Sequence, residues 1–179
     1  MTPEEKQTRN EFRWSLKPEQ RATMAIGALI LNWAQWDGDI TQHVFFLRDR
    51  AVEKTSTPSA WRVSSLHKDR LRTLRRLVVA LTSDRSEKVR KYDTITGTVA
   101  PLTVLRGAVA HGLVGLANPS GTQEDLRLAI FAPRQSEVDG ELSRSAPLDM
   151  PSVTQVFEAA DIIWDERAKL RQLVDNLLK

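Results

Sequence analysis

Cysteine is absent from this chain of 179 residues, and histidine occurs three times, as His43, His67 and His111. Without thiols there is no disulfide, thiolate zinc site, iron–sulfur cluster or cysteine nucleophile. Three histidines are too few for a histidine-rich metal centre. The phosphate-binding strings GxxxxGK[ST] and GxGxxG do not occur, and HExxH and GxSxG are missing too. ATP-driven and metal-hydrolase chemistry lose most of their support, and no metal or cofactor is expected. The strongest apolar uncharged stretch, Ala22 to Trp36, is interrupted by Asn32 and Gln35. It is shorter than the roughly 20 apolar residues of a spanning helix. The polar N-terminus lacks the basic-then-apolar order of a secretion signal. The chain therefore reads as cytoplasmic, with no membrane contact and no internal repeat.

What is present is the balance of a soluble globular protein, 41% apolar and 27% charged. The length suits one domain over 1–179, with 1–17 as a peripheral N-terminal segment. The formal net charge of +3 conceals an uneven distribution. Arg62 to Lys91 holds ten basic residues against three acids, and the remainder holds 16 against 20. Two arrangements satisfy that polarity. An anion such as RNA is drawn to one surface, or a basic helix face meets an acidic one elsewhere in the fold or in a second copy.

Periodicity predicts helices. The first begins near Pro18, a residue favoured in a first turn, and carries Ile26, Ile30, Trp33, Ile40, Val44 and Leu47 as one stripe to about Arg48. Asp37 lies in that stripe and needs a partner if buried; at the stripe's edge it is solvated. Ala51 to Ala60 reads as a polar connector. A second helix, Arg62 to Thr82, has Leu71, Leu74, Val78 and Leu81 on one face and Arg70, Arg72, Arg75 and Arg76 around the remainder. Such a basic face is either solvated surface or a contact for nucleic acid. Ser83 and Asp84 offer caps for a third helix, carried by Val89, Tyr92, Ile95, Val99, Leu102, Leu105 and Val109. Pro101 should kink or split it, and Gly112 should stop it.

After Gly112 the period changes. Leu113 to Ala117 and Asp125 to Phe131 read as strands of a β-hairpin around the turn formers Asn118, Pro119, Ser120 and Gly121. Ala132 to Met150 reads as a polar loop. A last helix starts at Pro151 or Ser152, where Ser152 and Gln155 have capping-box spacing. The expected fold is mainly all-α: a four- to five-helix up-and-down bundle with a short β-hairpin before the C-terminal helix.

One segment carries chemistry, Leu105-Arg106-Gly107-Ala108-Val109-Ala110-His111-Gly112 at the end of an apolar helix. It resembles the R-x4–6-H signature of the HEPN superfamily, and more fully its R-N-x-x-A-H-G pattern. Arg106, Ala110, His111 and Gly112 match, while Gly107 stands where a polar residue is usual. Asn32-Trp33-Ala34-Gln35-Trp36-Asp37 resembles the N-W-A-x-φ-E segment of the same group, with Asp37 in the acidic position. The order of motif helix, hairpin and closing helix is similar as well, and the resemblance spans Pro18 to the end.

The resemblance implies a metal-independent endoribonuclease. RNA is cut without metal when its 2′-hydroxyl attacks the adjacent phosphate. That reaction needs proton transfer, which His supplies, and a cation for the developing charge, which Arg supplies. His111 sits at a helix C-terminus, a place that favours cations. Five residues place Arg106 and His111 about 140° apart around a helix, so they do not share a face. HEPN domains commonly dimerise and bring two motifs into one cleft. The resemblance therefore implies a homodimer with Arg106 and His111 as catalytic residues and Asp37 behind them, fixing Arg106 or the His111 tautomer. Arg70, Arg72, Arg75 and Arg76 are the candidate RNA contacts. Such domains often serve in toxin–antitoxin or phage-defence systems, which adds a neutralising protein to the expected partners.

Other readings stand beside this one. His111 could simply cap carbonyls, and Arg106 could form a structural pair with Asp37. The chain would then be a catalytically silent helical module for interaction or nucleotide binding. A DNA-binding regulator lacks a helix-turn-helix segment. His43 reads as a helix-surface residue and His67 as part of the basic helix's start. Trp33, Trp36 and Trp164 read as core or interface anchors.

Overall fold

The computed structural model describes residues 2–55, 64–82, 86–111, 113–118, 120–122, 126–131 and 151–179. Among them are six helices and one two-stranded antiparallel sheet, placed before the C-terminal helix. The fold is mainly helical, as periodicity predicts. No helix among the described residues is long and apolar enough to cross a membrane. The chain divides into two compact units, Met1–Leu31 with Leu102–Asp161, and Asn32–Pro101 with Ile162–Lys179.

The first unit opens with a helix not expected from apolar periodicity, α1 (Pro3–Ser15). Its signal is polar. Thr2 Oγ1 accepts the Glu5 amide at 3.2 Å while Glu5 returns to the Thr2 amide at 2.7 Å, and Pro3 occupies the first turn. The segment is nonetheless tied down. Arg13, 5% exposed, reaches Asp161 with two N–H groups at 2.7 and 2.8 Å and lies over the Phe157 ring. Arg21 donates to the carbonyls of Arg13, Trp14 and Leu16, so a cation covers the negative end of α1.

Helix α2 (Pro18–Thr55) is longer than expected, and 51–55 continues it where a connector was anticipated; 56–60 lies outside the described residues. In its first half the buried apolar positions are Ala22, Ala25 and Leu29, beside buried Arg21, with Ile26 and Ile30 only half-buried. The buried stripe there is shifted by one position from the expected Ile26 and Ile30.

Pro101 splits the third expected helix into α4 (Glu87–Val99) and α5 (Leu102–His111), because proline lacks an amide hydrogen and clashes with the carbonyl four residues earlier. Ser86 caps α4 through the Val89 amide; Ser83, Asp84 and the expected stop at Gly112 lie outside the described residues. Strands β1 (Leu113–Ala117) and β2 (Arg127–Phe131) pair in the register Leu113↔Phe131 to Ala117↔Arg127. Gly121 in the connecting turn has φ +74°, a value that suits glycine. Backbone bonds Leu128 N–Pro151 O and Val153 N–Leu126 O join β2 to the start of α6 (Val153–Leu178). The Ser152–Gln155 capping box forms in both directions, at 2.8 and 3.1 Å. The expected loop at 132–150 lies outside the described residues.

The second unit holds the later part of α2, α3 (His67–Leu81), α4 and the later part of α6. Residues 62 and 63, where α3 was expected to start, lie outside the described residues. Trp36, Ile40, Val44, Leu47, Leu74, Leu77, Tyr92, Ile95, Ile163 and Leu170 form its fully buried interior. Trp36 is therefore a core residue, whereas Trp164 is exposed. The Tyr92 hydroxyl donates to the Leu71 carbonyl at 2.7 Å, joining α4 to α3, and burial pushes its pKa well up.

Candidate functional site

Asp37 is where the second unit gathers charge. It lies on α2 at the edge of the buried stripe, one turn after buried Trp33. Its Oδ1 sits 2.6 Å from His67 Nδ1, and the Arg70 guanidinium donates to both of its oxygens. The helical rise explains why α3 delivers both groups: His67 and Arg70 are three residues apart and share a face. Arg70 also donates to the carbonyls of Ser64 and Ser65, fixing the segment that enters α3.

A carboxylate only accepts, so the bond to Asp37 places the imidazole hydrogen on Nδ1. His67 Nε2 makes no hydrogen bond among the described residues, and the side chain is 23% exposed. The Trp33 ring lies 5.1 Å away, tilted at 44°, and backs the imidazole. Burial raises the Asp37 pKa, but hydrogen bonds from His67 and Arg70 and their charge outweigh it, and the carboxyl lies below its ordinary value. The result is an imidazole oriented through Nδ1, with no hydrogen bond to Nε2 among the described residues.

The four candidate RNA contacts on α3 divide. Arg70 is committed to Asp37, with 12% of its side chain exposed. Arg75 pairs with Asp93 on α4 at 2.8 and 3.0 Å. Arg72 makes a longer contact to Asp69, at 3.4 Å. Arg76 is exposed and makes no ion pair among the described residues.

Further along α2, Asp39 is 5% exposed and accepts from Arg167 and Arg171 on α6, at 2.6 Å each. Burial raises its pKa, and these two arginines bring it below the ordinary value. One turn later comes His43. It was expected on the helix surface and is instead 6% exposed, because the buried face of α2 carries polar residues here. Neither of its ring nitrogens has a hydrogen-bond partner among the described residues, and desolvation lowers its pKa.

Arg106 and His111 lie on α5 in the first unit. Arg106 is half-buried, His111 is exposed in the last turn, and Val109 between them is the buried residue. The carboxylate expected to serve one of them, Asp37, carries His67 and Arg70. Also in the first unit, Arg13, Trp14, Arg21 and Phe157 line a cavity of about 130 Å³, but both guanidinium groups there are already engaged by Asp161 and by backbone carbonyls. No group of three or more metal-ligating side chains occurs among the described residues.

Nothing in the local sequence signals the His67–Asp37 contact. Periodicity marks Asp37 as needing a partner and names none, since the partner arrives from a different helix. Comparison with protein-family models, curated proteins and solved structures found no match to this chain.

Proposed function

We propose that this chain is a HEPN-like, dimeric, metal-independent endoribonuclease of the cytoplasm. Arg106 holds the scissile phosphate and His111 transfers a proton. The observation that carries this reading is the end of α5: a half-buried arginine and, five residues on, an exposed histidine in the last turn, in the R-x4-H and A-H-G context. A half-buried guanidinium is a pre-oriented phosphate ligand, and an exposed imidazole is open to substrate. Because the two diverge around the helix, a second copy completes the cleft. A neutralising protein partner belongs to the same reading.

The test is RNA cleavage in EDTA. His111→Ala and Arg106→Ala should each lower the rate by about 100-fold or more with the fold unchanged, the first as loss of an acid–base group and the second as loss of a charge facing the transition state. Light scattering should give the mass of a dimer. Full activity in His111→Ala refutes the assignment. Binding of a protein or nucleotide with no cleavage of any RNA favours the silent helical module instead.

A further inference from the structure

We propose that His67 is a proton-transfer group acting on an RNA phosphodiester, with Asp37 as the residue that positions it. The substrate class rests on the reading above; the residues rest on geometry alone.

The three imidazoles are not equivalent. His43 is 6% exposed, and both its ring nitrogens are buried among the described residues. His111 is exposed, but no hydrogen bond fixes its tautomer among the described residues. His67 has its Nδ1 tied to a carboxylate at 2.6 Å, its ring backed by Trp33, its side chain 23% exposed and its Nε2 without a hydrogen bond among the described residues. A carboxylate behind one ring nitrogen makes the other a defined proton acceptor, and Arg70 compensates the carboxylate's charge at the same time. A structural ion pair needs only Arg70 and Asp37. The added imidazole, with one nitrogen fixed and the other without a hydrogen bond among the described residues, is what a proton-transfer role requires.

The surroundings select an anionic polymer. His67 opens α3, and the next residue, Lys68, begins a row of exposed cations at four-residue spacing, Lys68, Arg72 and Arg76. Eight residues of helix make this row about 12 Å long. Asp69 touches only Arg72 of the three, at 3.4 Å, and the acid Asp93 is taken by Arg75. A phosphate backbone lying along the row reaches its end beside the imidazole. In the reaction the 2′-oxygen bonds to phosphorus as its proton passes to Nε2. The bond from phosphorus to the 5′-oxygen breaks, and that oxygen takes a proton from water. A 2′,3′-cyclic phosphate and a 5′-hydroxyl result, and the imidazolium returns its proton to the hydroxide formed.

The experiment measures cleavage of a single-stranded RNA in EDTA across pH by wild type, His67→Gln, Asp37→Asn and His111→Ala, with a 2′-deoxy strand as control. His67→Gln should lose about 100-fold or more in rate while RNA affinity changes little. Asp37→Asn should lose less and alter the pH at which the rate falls on the acid side, which a purely structural role would not do. Replacing Lys68, Arg72 and Arg76 by Gln should weaken binding and reduce its salt dependence. His67→Gln cutting at the wild-type rate overturns the proposal; if His111→Ala is then inactive, the Arg106–His111 reading survives alone. Loss in His67→Gln with full activity in His111→Ala supports His67 and removes His111. A wild-type chain that cuts no RNA overturns both. Should His67→Gln fail to fold, an unchanged pH profile in Asp37→Asn overturns the proposal.

Discussion

His67 Nδ1 and Asp37 Oδ1 lie 2.6 Å apart, although 30 residues separate them in the chain. With Arg70 the contact joins the start of α3 to the middle of α2. Asp37→Ala should remove this joint and leave the mostly buried Arg70 guanidinium without its carboxylate. The expected loss is about 1–2 kcal/mol, kept modest because Asp37 itself is partly solvated. Urea denaturation of the two proteins measures it. The Asp37 pKa is depressed on folding, so its stabilisation is present above about pH 3.9 and is lost as the pH falls through the folded value. The wild-type advantage over Asp37→Ala should therefore shrink below about pH 4.

The arginines of α3 should separate in stability assays. Arg70→Ala breaks bonds to Asp37 and to two carbonyls, with only 12% of the side chain exposed. A loss of about 2 kcal/mol or more is expected. Arg76→Ala touches no ion pair among the described residues and should stay within about 0.5 kcal/mol. Equal losses in thermal melts would contradict the geometry.

His43 should destabilise the fold in mild acid. Its pKa is lowered on folding by desolvation, so the unfolded chain binds a proton first. Stability should fall as the pH drops below about 6.5 and level off beneath the folded value. His43→Leu removes two buried ring nitrogens that have no hydrogen-bond partner among the described residues. It should raise stability by about 1 kcal/mol at pH 7 and more at pH 5. Denaturation curves at the two pH values test the sign.

Helix α1 depends on one carboxylate. Asp161 accepts from both Arg9 and Arg13, and Arg13 is 5% exposed. Burial raises the Asp161 pKa, and Arg13 with Arg9 brings it below the ordinary value. Asp161→Ala leaves Arg13 buried without its counter-charge, at an expected loss of about 3 kcal/mol. Hydrogen exchange in α1 should accelerate more than exchange in α4, whose Tyr92–Leu71 bond is untouched.

Much of the fold is written in local patterns. The stripe through Trp33, Ile40, Val44 and Leu47 marks the later part of α2, Pro101 separates α4 from α5, and Ser152 with Gln155 starts α6. Each is decided by residues within a few positions, where helical rise and backbone donors act directly. Local polar signals count equally: Thr2 and Glu5 specify α1 where apolar periodicity is silent.

The partners were not legible in the same way. Asp37 shows a need for compensation in the sequence, but His67 and Arg70 are chosen only when α3 is laid beside α2. Asp39 waits in the same way for Arg167 and Arg171, and His43 looks like a surface residue until the interior closes around it. The sequence by itself determined most of the helical segments, the break at Pro101 and the start of α6 at Ser152, and that the chemistry available is that of His and Arg without thiols. Tertiary structure alone decided which cations are committed to carboxylates, which remain exposed, and which of the imidazoles is held by a carboxylate. The physical reason is range. Helix formation depends on near neighbours, whereas the charge state and access of a side chain depend on whatever the fold brings against it.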